Sequence, residues 1–86
     1  MAKFNVVFAP TAEKQLLKLA KIVRIRVVQA IAKLAEDPHL GKQLKGELKE
    51  YRSYRVGSYR IVYFIRHKRI QIEIIQIAHR REVYRA

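Results

Sequence analysis

The stretch YRSYRVGSYRIVYF, residues 51 to 64, limits the fold more than any other part of the chain. Gly57-Ser58 suits a two-residue hairpin turn with glycine at its first position, where a positive φ is needed. Strands over Tyr51–Val56 and Tyr59–Arg66 are then antiparallel and in a fixed register, with Val56 facing Tyr59 and Arg55 directly across from Arg60. Opposed residues share one face of a sheet. One face therefore carries the two arginines, and the other collects Tyr54, Val56, Tyr59, Ile61 and Tyr63 as a floor for a second layer. Like charges opposed across a ladder are destabilising, so the arginine pair favours an anion between the two guanidiniums. The alternatives are that both splay into solvent or pair with Glu73 or Glu82.

The rest of the chain supplies that second layer. Lys3 to Phe8 reads as a short strand rich in β-branched and aromatic residues, stopped by Pro10. From Pro10 onward Leu16, Leu19, Ala20, Val23, Val27, Ala30, Ile31 and Leu34 recur at three- and four-residue spacing, with lysines and Arg24 between them. This is helix until Pro38. A straight helix of that length outgrows the 86-residue chain, so a helical hairpin breaking near Lys21 to Val23 is expected, although no Gly or Pro marks the turn. PHLGKQLKGELKE reads as a polar connector, and a third hairpin strand over Ile70–Ile77 follows a reversal at His67-Lys68-Arg69. The expected fold is α+β, a compact two-layer β-α-α-β-β-β domain spanning residues 1–86, with the helical hairpin packed on a largely antiparallel sheet.

Nineteen Lys and Arg against seven Asp and Glu give a formal charge of +12, which points to an anionic partner. Arg52, Arg55, Arg60, Arg66, Arg69, Arg80, Arg81 and Arg85 all fall after residue 50, where the only acids are Glu73 and Glu82. That end is the expected working end, because the planar guanidinium donates two parallel hydrogen bonds to a phosphate. No cysteine occurs, so disulfides and thiolate metal sites are excluded. No apolar run approaches the roughly 18 residues of a membrane span, and the N-terminal residues lack a leader pattern. A soluble, cytoplasmic chain is expected.

The run HRREVYR, residues 79 to 85, follows the last strand, so His79, Arg80, Arg81 and Tyr84 are expected at one edge of the same sheet, beside Arg55 and Arg60. A solvated basic tail anchored by Tyr84 is the plainer reading. The sequence has no carboxylate pair in a plausible site, no metal-ligand spacing, no glycine-rich phosphate loop and no nucleophile with a His and acid partner. RNA cleavage needs none of these, because the substrate's own 2′-hydroxyl can attack the phosphorus. The protein then orients that hydroxyl, stabilises the added charge and helps protons move. Arginines suit the second task and are poor at the third, which leaves His79 and Tyr84 as proton carriers. Tyrosines also stack on bases of a single strand.

The run GKQLKGELKEYRSYRVGSYRIVYFI with IAHRREVYR resembles the RelE/ParE superfamily of toxins from toxin–antitoxin systems, in particular its RelE branch, over nearly the whole chain. The resemblance implies a RelE-like fold, ribosome-dependent cleavage of messenger RNA in the A site with no cofactor, and neutralisation by an antitoxin that wraps the toxin. It places Arg60 at the scissile phosphate, Arg80 at charge stabilisation, and Tyr84 at the nucleophilic hydroxyl or a stacked base. Arg55 falls where well-studied members have a catalytic lysine, and His79 where they have another basic residue that it could replace in proton transfer. The catalytic set it implies is Arg55, Arg60, His79, Arg80 and Tyr84, with Lys42, Lys45, Arg52, Arg81 and Arg85 as RNA contacts and no metal. A second lysine of the family corresponds to Ser53, for which Arg52 is the nearest substitute. The implied partners are a RelB-like antitoxin, the ribosome and mRNA, with no membrane. The alternative within the superfamily is a ParE-like protein that inhibits DNA gyrase without cleaving anything, and the blandest is a basic protein that binds RNA non-specifically.

Overall fold

The computed structural model describes residues 3–79. Along the chain come β1 (Asn5–Phe8), α1 (Pro10–Lys18), α2 (Lys21–Glu36), β2 (Lys42–Gln43), β3 (Tyr51–Val56), β4 (Tyr59–Arg66) and β5 (Gln71–His79). Single 3₁₀ turns lie at Pro38–Leu40, Gly46–Leu48 and His67–Arg69. The strands form one sheet in the order β1-β5-β4-β3-β2, with β1 parallel to β5 and the other pairs antiparallel. The α+β order and the helical layer are as the sequence indicates. The polar connector, however, contributes a fifth strand: β2 pairs Lys42 with Ser53 and Gln43 with Arg52. Two residues are too short a run for any periodicity to show.

The helices separate at Leu19 and Ala20, slightly before the break expected from the sequence. Both residues have extended backbone, with ψ of 146° and 148°. Leu19 N–H still donates to Leu16 O at 3.2 Å, and Ala20 O accepts from Arg24 N–H at 2.8 Å, so the backbone groups at the break are satisfied without a glycine. Packing makes the turn, since Leu16, Leu19 and Val23 on either side of it all lie against the core. Pro10 occupies the first turn of α1, where its missing N–H costs nothing.

Between the layers, Ala12, Val27, Ala30, Ile31 and Leu34 of the helices meet Ile61, Tyr63, Ile72, Ile74 and Ile77 of β4 and β5. Each buried aliphatic side chain of this size contributes about 1.5–3 kcal/mol. Tyr54, Val56 and Ile65 flank the cluster from the same face. Hydrophobic alternation on β5 is interrupted by a bulge. Val62 pairs with Gln76 but Tyr63 pairs with Ile74, so Ile75 is an extra residue. Inward positions therefore run Ile72, Ile74, Ile77, and every residue after Ile75 is turned to the opposite face from the one strict alternation gives.

Candidate nucleic-acid interface

The hairpin forms in the expected register. Arg55 pairs with Arg60 and Val56 with Tyr59 around Gly57, whose φ is 59°. The face turned away from the helices thus carries Arg55 and Arg60, and Lys42 joins them because it lies across from Ser53 on the same face. That face is not bare. Val62 and Ala78 are buried in it beneath Leu44, Tyr51 and Ile75, a small second apolar cluster that gives the basic residues a dry floor. Beside it lies a cleft of about 660 Å³ lined by Leu40, Lys42, Gln43, Leu44, Lys45, Ser53, Tyr54, Arg55 and Arg60. Among the described residues four cations and no acid line it. A low-dielectric floor under four like charges raises the local potential toward an anion.

Arg55 is exposed and makes no side-chain hydrogen bond or ion pair among the described residues, whereas Arg60 is half-buried. Of the two acids named as alternative partners for the pair, Glu73 is engaged by Arg66, and Glu82 lies outside the described residues. Glu73 Oε1 accepts from Arg66 Nη2 at 3.0 Å and from its Nε at 3.3 Å, while the Arg66 guanidinium sits 5.2 Å from the centre of the Phe64 ring.

Two residues expected at the site stand apart from it. Arg52 is paired with Tyr63 and so faces the helix side. Its Nε donates to Gly41 O at 3.0 Å and its Nη2 to His39 O at 3.4 Å. It braces the segment that leads into β2 and lies on the sheet face opposite Arg55 and Arg60, which corrects its expected place at this cleft. His79 is paired with Tyr59, its ring edge-on to the phenol at 5.7 Å, while Ala78 takes the place beside Arg60. The bulge at Ile75 is the reason: without it His79 would share the face of Arg60. The expectation that His79 lies beside the arginine pair is therefore also corrected. Arg80, Arg81, Tyr84 and Arg85 lie outside the described residues.

The wall opposite the arginines depends on a residue assigned only to the floor by the sequence. Tyr63 is fully buried, and its hydroxyl donates to Pro38 O at 2.6 Å and accepts from Gly41 N–H at 3.0 Å. With Arg52 it ties residues 38 to 41 to the sheet immediately before Lys42 and Lys45. Burial pushes the phenol pKa up, an effect only partly offset by the Gly41 N–H and the Arg52 guanidinium. Gly41 is required by proximity: a Cβ there would overlap Tyr63 Oη and lie 2.8 Å from Cε1 and 2.9 Å from Cζ. Nothing in the sequence connects residue 41 with residue 63.

Among the described residues no group of three or more His, Cys, Asp or Glu is placed to hold a metal ion, and no helix is long and apolar enough to cross a membrane. Residues 6–84 match the family model described as the ParE toxin of the type II toxin–antitoxin system parDE. The chain belongs to this toxin family. Within it the toxin is RelE-like. It is 36% identical over 84 residues to a toxin named RelE from Mycobacterium tuberculosis, covering 95% of this chain and 87% of that one. A toxin named RelG from the same organism is 34% identical over 84 residues, covering 95% and 97%. The toxin also superposes on the crystal structure of the Mycobacterium tuberculosis toxin–antitoxin complex RelBE2 with a TM-score of 0.84 at 33% identity, covering 92% of this chain and 93% of that one.

Proposed function

We propose that the toxin is a ribosome-dependent endoribonuclease that cuts mRNA in the A site and so stops translation. The observation that carries this reading is the Arg55–Arg60 pair, held opposed on the open face of the hairpin beside a cleft whose described lining holds Lys42 and Lys45 on its other wall and no acid. Opposed guanidiniums repel one another, and a phosphate between them turns that repulsion into two sets of charge-assisted hydrogen bonds. Added charge builds on the phosphoryl oxygens as the 2′-hydroxyl attacks, so donors fixed there stabilise the transition state more than the ground state. A rigid hairpin suits that task. By resemblance Arg80 and Tyr84 complete the set, Tyr84 orienting the hydroxyl or stacking on a base, with Arg81 and Arg85 as further RNA contacts. Lys42 and Lys45 hold the strand on the far wall. No cofactor is called for, because the nucleophile belongs to the substrate.

The partners follow from the same charge. A protein of +12 needs an acidic segment to neutralise it, and the similarity to a RelBE complex favours a RelB-like antitoxin in that role. The site of action is the cytoplasm, where ribosomes translate.

The match to a ParE family model supports a second reading, inhibition of DNA gyrase through the same fold without cleavage. Induced expression separates the two. Primer extension on cellular mRNA is expected to show new 5′ ends with wild type and none with Arg60→Ala, while gyrase supercoiling activity stays unchanged. Supercoiling inhibited by both proteins, with intact mRNA, would replace the nuclease by the gyrase reading.

A further inference from the structure

We infer that a second cleft on the other side of β2 is a nucleotide subsite, taking one stacked base and its phosphate from the RNA strand that leaves the first cleft. This rests on the RNA reading given above. The cleft, about 360 Å³, is lined by His39, Gln43, Lys49, Arg52, Phe64 and His67. His39 comes from the 3₁₀ turn after α2 and His67 from the turn after β4, and the fold sets their rings parallel to within 28° with centres 5.8 Å apart. Both residues are exposed. Two imidazole faces at a surface, with Phe64 lining the same cleft and Lys49, Lys68 and Arg69 nearby in sequence or space, combine a stacking platform with cations, as single-strand binders do. Glu50 also lines the cleft and can accept from a sugar hydroxyl.

The two clefts share one lining residue. Gln43 lines both, and its side chain is fixed by donating to Lys49 O at 2.9 Å. Tyr51 and Phe64 are opposed on β3 and β4 with their rings edge-on at 5.8 Å, which carries an aromatic surface from the apolar floor beside the arginines toward the histidines. In this proposal a strand held by phosphate at Arg55 and Arg60 crosses β2 at Gln43, with one base gripped by the rings on its other side.

The test uses the wild-type protein first. The ring resonances of His39 and His67 are followed by NMR on adding a single-stranded RNA of about ten residues, within the span that single-strand binders cover, or a trinucleotide. The expected result is a shift of both rings with the longer RNA and little change with the trinucleotide. The variant His39→Ala/His67→Ala is expected to bind the longer RNA at least about fivefold more weakly, to bind the trinucleotide as wild type does, and to keep the same salt dependence, since rings and not phosphate contacts are removed. Unmoved rings, equal affinity of variant and wild type for the longer RNA, or the same ring shifts with base-free polyphosphate would overturn the proposal. So would ring shifts with an acidic peptide and none with RNA. Ring shifts and length-dependent binding without any mRNA cleavage would uphold the subsite and remove only the nuclease reading.

Discussion

Replacing Tyr63 by Phe takes one oxygen from the centre of the molecule and tests how the cleft wall is held. The ring keeps its place in the core, so packing loss is small and the effect isolates two hydrogen bonds, 2.6 Å to Pro38 O and 3.0 Å from Gly41 N–H. Pro38 and Gly41 are both buried, so their carbonyl and amide are left without that partner in a place where water does not readily replace it. A buried polar group orphaned in this way costs about 1–3 kcal/mol. Taking about 2 kcal/mol for the coupled pair, and about 4–8 °C per kcal/mol for a chain of this size, the melting midpoint is expected to fall by about 8–16 °C. Circular dichroism measures the midpoint, and hydrogen exchange at the Gly41 amide is expected to accelerate well beyond the change in global stability. The pH dependence carries a sign of its own. Folding raises the Tyr63 pKa above its unfolded value near 10, so the unfolded chain loses this proton first as pH rises. The stabilisation is complete below about pH 10 and is lost progressively above it, a component of the alkaline limb that Tyr63→Phe removes. A midpoint within about 2 °C of wild type, with an unchanged Gly41 exchange rate, would refute the claim that this hydroxyl holds residues 38 to 41.

Other substitutions test neighbouring contacts of the same fold. Gly41→Ala drives a methyl into the Tyr63 phenol and is expected to cost about 1–3 kcal/mol; in a Tyr63→Phe background the added cost should shrink, which a double-mutant cycle by urea denaturation measures. Ile70 is a β-branched residue at φ 49° and ψ 54°, a left-handed conformation that costs such a side chain roughly 1–2 kcal/mol. Ile70→Asn, at a position 43% exposed, is therefore expected to keep or raise the melting midpoint, and a fall of several degrees would show that its side-chain contacts matter more than its backbone. Arg55→Thr relieves the repulsion with Arg60 and is expected to stabilise the free protein by about 0.2–1 kcal/mol while weakening RNA binding and flattening its salt dependence. A variant both less stable and undiminished in RNA binding would contradict the reading of this pair as an anion site.

Much of this arrangement is legible in the sequence because it is local. Gly57-Ser58 sets the hairpin, the hairpin sets Arg55 against Arg60, and the period of Val27, Ala30, Ile31 and Leu34 sets the helical face that covers Ile61 and Tyr63. What is not legible depends on long-range geometry. The bulge at Ile75 comes from how β5 meets β4 and leaves no compositional mark, yet it turns His79 to the far face. The two-residue β2 exists only because β3 offers an edge, and it builds the second wall of the cleft. Arg52 lies in the same strand as Arg55 but at odd separation, so the alternation of the strand already puts them on opposite faces. That signal alone separates Arg52 from the arginine pair. Gly41 and Tyr63, and likewise His39 and His67, are brought together by the fold alone.

The most direct test of the central claim is toeprinting of a translating ribosome with the purified wild-type toxin and with Arg60→Ala. Cuts within the A-site codon are expected from the wild type, with the variant slower by about 10²–10³-fold, the range for losing a donor to developing charge. Equal cutting by both proteins, or no cutting by a wild-type protein shown to be folded and to bind its antitoxin, would contradict that claim.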